Sequence, residues 1–112
     1  MTKYKPLSSM TTPRFADIAT FFRLPIEKNL AELDYCICGI PWDGGTTNRP
    51  GARHGPREIR NASSLVRLYH PVSLQSPYDK YNIADVGDCP VNPADLNDSL
   101  VKIEDFYKKI SL

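Results

Sequence analysis

The sequence predicts an α/β fold, the N-terminal part of a doubly wound, mostly parallel sheet built from one βαβ unit plus a following helix. Three observations carry that prediction. Tyr35-Cys36-Ile37-Cys38-Gly39-Ile40 is a continuous apolar run without polar alternation, the mark of a strand buried on both faces of a parallel sheet. Beyond a Gly-rich loop, Ile59, Ala62, Leu65, Val66 and Tyr69 recur at helical spacing. A second strand pattern, Tyr81 to Val86, then completes a strand, helix and strand of the length that one right-handed crossover needs.

Taken in order, residues 1–14 are polar, carry Pro6 and Pro13 and show no period, and read as a mobile or loosely wrapped arm. Residues 15–34 form an aromatic N-terminal segment and a connector. The stretch from Phe15 to Ile26 is dense in aromatics yet broken by Pro25, too short for a substantial helix, and has to bury itself on this domain or on a neighbouring subunit. Residues 35–112 are read as βαβα.

The loop from Pro41 to Gly55 leaves the first strand at its carboxyl end, where open α/β sheets collect ligands. Gly55-Pro56 starts a helix, with Gly tolerated as N-cap and Pro suited to the first helical position. Glu58 falls at the third position, complementing the free N–H groups and the helix dipole. The helix is expected to run from Pro56 to about Tyr69. The loop matches neither the phosphate loop, which needs G-x-x-x-x-G-K-[S/T], nor the G-x-G-x-x-G dinucleotide fingerprint. Two readings of its cations stay open. Arg49, Arg53 and His54 meet a carboxylate or phosphate at the helix N-terminus, or they are loop residues held by carbonyls and by a neighbouring carboxylate such as Asp43.

His70 to Asp79 is a loop bounded by prolines. The second strand ends in Asp85-Val86-Gly87-Asp88. Two aspartates at a strand's carboxyl end invite a metal reading, against the alternative that they satisfy loop N–H groups around a glycine turn. Asn92 or Asn97 is the expected cap of a last helix, in which Leu96, Leu100, Ile103, Tyr107 and Ile110 form one apolar stripe. Two strands and two helices leave sheet edges open, so the pattern predicts the start of a larger doubly wound domain.

With 112 residues the chain is one domain at most by size. Its net charge of +1 gives no field favouring nucleic acid or an anionic membrane, and no apolar run approaches the roughly 20 residues of a membrane span. The expectation is a cytoplasmic protein with neither nucleic acid nor membrane as partner. Three cysteines lack C-x-x-C spacing, and Cys36, Cys38 and Cys89 read as packed thiols.

Gly39-Ile40-Pro41-Trp42-Asp43, then Gly51-Ala52-Arg53-His54-Gly55-Pro56-Arg57-Glu58-Ile59-Arg60, then Ile83-Ala84-Asp85-Val86-Gly87-Asp88 together resemble the amino-terminal part of the ureohydrolases. This is the arginase, agmatinase and guanidinobutyrase group, and the likeness is strongest to agmatinase or guanidinobutyrase, from about Phe15 onward. The resemblance implies a hydrolase that converts a linear guanidine compound to urea and an amine, with two Mn2+ ions as cofactor and a homo-oligomeric assembly. It also places the manganese ligands in later motifs of the G-G-D-H, D-A-H-x-D and S-x-D-x-D-P types, none of which occurs here. Asp85 and Asp88 are therefore left out of the metal set, no catalytic residue is assigned, and the chain alone is expected to be inactive. By the same resemblance the loop borders the active-site mouth, with Asn48, Arg49, Arg53 and His54 as candidate substrate-binding residues. The alternative reading is a non-catalytic interaction module that associates with a full-length subunit; a small anion-binding domain ranks last.

Overall fold

The computed structural model describes residues 2–111. Its two strands, β1 (Tyr35–Gly39) and β2 (Ile83–Asp88), pair in parallel, with Tyr35 opposite Ile83 and Gly39 opposite Asp88. Between them lies helix α1 (Gly55–Ser63), and helix α2 (Leu96–Ile110) follows β2. The strand, helix, strand and helix order is the predicted one. α1 is tied to β2 through Arg60, which pairs with Asp85.

β1 stops one residue earlier than its apolar run because Trp42 N–H closes a tight turn on the Ile40 carbonyl, 2.9 Å away. It is also less covered than the run predicts. Only Gly39 is buried, and Tyr35 is 55% exposed. A sheet of two strands with one helix on a side has too little material to bury a strand on both faces.

The core sits around β2 instead. Ala84 and Val86 are buried there with Phe21, Leu24, Tyr4, Tyr78 and Cys89. β2 begins at Ile83, two residues later than expected, because Asn82 forms a corner. Its carbonyl accepts the N–H groups of Asp34 and Tyr35, and its side-chain oxygen accepts Lys3 N–H. The outer edge of β2 is closed by the segment before β1, since Asp85 N–H donates to Pro25 O, Glu27 N–H donates to Asp85 O, and Lys28 Nζ donates to Val86 O at 2.6 Å. Capping an edge with a lysine and a short bridge removes a template for unwanted pairing.

Of the two readings of the N-terminal arm, mobile or loosely wrapped, residues 2–14 take the wrapped one. Leu7 N–H reaches Arg23 O, Lys5 Nζ reaches Tyr78 O and Asp79, and Tyr4 is 8% exposed. Apolar and hydrogen-bonding groups spaced along it find partners on three other segments. The aromatic segment contributes one 3₁₀ turn, Phe21–Arg23, in which Phe22 and Arg23 adopt φ of 55° and 59°. Such left-handed backbone is unusual for bulky residues. Side chains hold it there: Phe21 N–H donates to Asp85 Oδ2 and Phe22 N–H to Ser63 Oγ. Phe15 and Ile18 remain 92% and 82% exposed.

α1 ends at Ser63, well short of Tyr69. Ser64, Leu65 and Val66 switch to three-residue turns, and the Arg14 guanidinium takes the carbonyls of Ser64 and Val66 at 3.3 and 3.4 Å. Leu65, Val66 and Tyr69 thus leave the helix and stand at least half exposed. The periodicity was real, but a distant arginine satisfies the carbonyls that would have continued the helix. At the amino end the N-cap is His54, following a 3₁₀ turn at Ala52–His54, so Gly55 is already helical and Glu58 lies in the first turn without a capping bond. α2 is capped neither by Asn92 nor by Asn97. Asp95 accepts Asp98 N–H at 3.0 Å, while Asn92 is engaged with Ser99 and Asp98.

Candidate functional site

The loop after β1 is built on Asp43. Its side chain is 1% exposed and accepts Gly51 N–H at 2.7 Å, Arg53 N–H at 3.2 Å and Arg53 Nε at 2.8 Å, with Arg53 Nη2 also 2.8 Å away. Its backbone carbonyl takes Thr46 N–H and hydroxyl. One carboxylate therefore ties the start of the loop to its end. The Arg53 hydrogen bond and the two loop N–H groups hold its carboxyl at about 2, outweighing the upward push of burial. Everything between Gly44 and Pro50 projects from this clasp as an exposed tip.

The four candidate residues are not brought to one point. Arg53 is consumed by Asp43, as the structural reading of the loop had it, and its guanidinium is raised further above its ordinary value by that bond. Asn48 and Arg49 occupy the exposed tip, and among the described residues neither makes a side-chain ion pair or hydrogen bond. His54 is exposed at the start of α1.

Beneath the loop is a second junction that the sequence reading missed. Arg60 of α1 donates from Nε to Asp85 Oδ2 at 2.8 Å and from Nη2 to Asp85 Oδ1 at 3.0 Å. Its Nη1 meets Asp88 Oδ1 at 2.7 Å, and its guanidinium stacks 4.2 Å from the Phe21 ring centroid. Asp85 is wholly buried and also accepts Phe21 N–H and Gly87 N–H. Burial pushes its carboxyl up, but Arg60 and these two N–H groups outweigh that and leave it below the ordinary carboxylate range. A β-bulge makes the arrangement possible. Asp85 and Asp88, three apart, belong on opposite faces of a regular strand; the register shift that passes over Val86 turns both toward Arg60. Gly87, at φ 86°, supplies the backbone that the bulge needs. Gly39 is required for closeness, since a side chain there would meet Pro56 Cβ at 2.7 Å and the Asp88 carboxylate. The available signal was the spacing of Arg60 four residues after Pro56 with Asp85 and Asp88 on the next strand, but helical position alone does not show which carboxylates it meets.

A sequence model of the Arginase family matches residues 33–111, most of the chain. The chain belongs to the arginase family. It is 57% identical over 106 residues to a guanidinopropionase of Pseudomonas aeruginosa, an alignment covering 95% of this chain and 33% of that protein. It is 41% identical over 105 residues to a mitochondrial agmatinase of Gallus gallus, covering 94% and 31%. Among solved structures, the proclavaminate amidino hydrolase from Streptomyces clavuligerus superposes with a TM-score of 0.84 at 35% identity, covering 88% of this chain and 34% of that one. The chain thus spans about a third of the length of the relatives it matches, and the α/β class is theirs as well as its own.

The two Mn2+ ions implied by the resemblance to other arginase-family chains find no ligand set among the described residues. No group of three or more His, Cys, Asp and Glu gathers there. The donor chemistry explains why Asp85 and Asp88 do not substitute for one. Their oxygens are directed at a guanidinium, which competes with any cation for the same lone pairs.

Proposed function

We propose that this chain is the amino-terminal third of an amidinohydrolase that cleaves a linear guanidino acid to urea and an amino acid. The 57% identity to a guanidinopropionase over nearly the whole chain carries the reading. A guanidinobutyrase of the same bacterium, at 41% identity, supports the same substrate class. The manganese ions belong to parts of the enzyme outside these residues. The role of this third is to frame the mouth: β1 and β2 deliver their carboxyl ends to one side, and the Asp43 clasp and the Arg60 junction fix the loops that leave them. Of the candidates, Arg49 is the residue with a free guanidinium at the loop tip and the one suited to a substrate carboxylate. Arg53 serves the clasp. The exposed Phe15 and Ile18 favour a homo-oligomer in which another subunit covers them.

The test is urea release by the full-length enzyme with manganese, comparing 3-guanidinopropionate, 4-guanidinobutyrate, agmatine and arginine. The expected order puts 3-guanidinopropionate first by kcat/KM; activity confined to agmatine or arginine refutes the reading. In Arg49→Ala, KM is expected to rise about tenfold for the guanidino acids and to stay unchanged for agmatine. The 112 residues alone are expected to release no urea.

A further inference from the structure

Two half-buried arginines away from the loop site, Arg14 and Arg23, have no carboxylate partner. Among the described residues the arginines that form ion pairs are Arg53 and Arg60. Arg14 uses only Nη1, on the carbonyls of Ser64 and Val66, and Arg23 only Nη2, on those of Thr12 and Pro13. Arg23 Nη1 is sealed from solvent with no hydrogen-bond partner at all. A buried donor left unpaired is costly and calls for an acceptor. The same two side chains also line two hollows together. One, of about 220 Å³, lies between residues 14–19 and the carboxyl end of α1, and a narrower one lies against Phe22 and Leu68. Two cations that share a hollow repel each other, and an oxyanion held between them replaces that repulsion with charge-assisted hydrogen bonds.

We propose that the larger hollow binds a small organic carboxylate. Its lining selects that class. Asp17 also faces the hollow, its Oδ1 accepting Ile18 N–H, and it pairs with neither arginine. Two guanidiniums against one carboxylate leave a single positive charge in excess, which suits a monoanion and disfavours a multiply charged phosphate. Phe15 and Ile18, 92% and 82% exposed, and the exposed Ala19 supply an apolar rim for the carbon body of the ligand. A neighbouring subunit laid on that rim would enclose the ligand rather than replace it.

Thermal unfolding of the full-length protein in propionate, with ionic strength held constant by chloride, tests this. The midpoint is expected to rise by about 2–4 °C and to level off by about 20 mM propionate. Arg49→Ala is expected to keep that response, because the ligand does not sit at the loop tip. Ala19→Glu carries a carboxylate into the hollow and is expected to gain nothing from propionate. Arg23→Lys loses the planar fork and is expected to need about tenfold more propionate for the same rise. No rise in the unaltered protein, or a rise that never levels off, overturns the proposal; a hollow already filled by a side chain of a neighbouring subunit gives the first of these. So does a response that survives undiminished in Ala19→Glu or Arg23→Lys, or one that disappears in Arg49→Ala.

Discussion

Replacing Arg60 by methionine keeps most of the side-chain length and removes the charge from a junction of three segments. Asp85, with no exposed surface, loses two charge-assisted hydrogen bonds and keeps only Phe21 N–H and Gly87 N–H. Breaking a buried pair by removing one partner costs about 3–5 kcal/mol, because an uncompensated charge is left inside. Loss of the stacking on Phe21 adds on the order of 0.5–1 kcal/mol. At an m-value of about 2 kcal/mol/M, the urea midpoint should fall by about 2 M, read by circular dichroism on the full-length protein at pH 7.5. The pH dependence gives a second handle. With Arg60 present, the Asp85 carboxyl lies below its ordinary value, so its contribution is complete above the unfolded carboxylate range and is lost as pH falls through the lowered value. Without Arg60, burial raises that carboxyl, the charged form opposes folding, and protonation relieves it. The gap between the two proteins should therefore be widest near neutrality and shrink toward pH 4. A midpoint shift below about 0.5 M at pH 7.5, the size of an exposed pair, would refute the argument that this junction is a buried keystone.

Four further outcomes rest on local geometry. Asp43→Asn opens the clasp, so tryptic cleavage after Arg53 should become about tenfold faster at pH 8 by mass spectrometry. In the unaltered protein the clasp is complete above the ordinary carboxylate range, about pH 4, and should fail as pH falls toward about 2. Gly39→Ala places a methyl group against Pro56 and the Asp88 carboxylate, which should lower stability by about 1–3 kcal/mol in the same urea assay. Asp95→Ala removes the α2 cap, expected to cost about 1 kcal/mol, with faster hydrogen exchange confined to the first turn of the helix.

Sequence by itself determined the elements and their order. The apolar run at Tyr35, the Gly55-Pro56 start, the strand at Ile83 and the stripe from Leu96 to Ile110 are local patterns, each set by a period or a backbone preference that neighbours in the chain suffice to express. The motifs from Gly39 to Asp88 placed the chain in its family for the same reason. Where elements end was decided elsewhere. Arg14, some fifty residues upstream, satisfies the carbonyls at which α1 stops, and Asn82, pinned by Asp34 and Lys3, delays β2. Arg53 looked as free as Arg49 in the sequence, and only the folded loop shows which of the two Asp43 takes. The Arg60 junction is the clearest case. Asp85 and Asp88 are three residues apart, an odd spacing that in a regular strand separates their side chains, and the bulge at Val86 that reunites them arises from pairing with β1. Periodicity along one chain segment cannot encode a register set by another, so the residues that hold this site became visible only when the strands were paired.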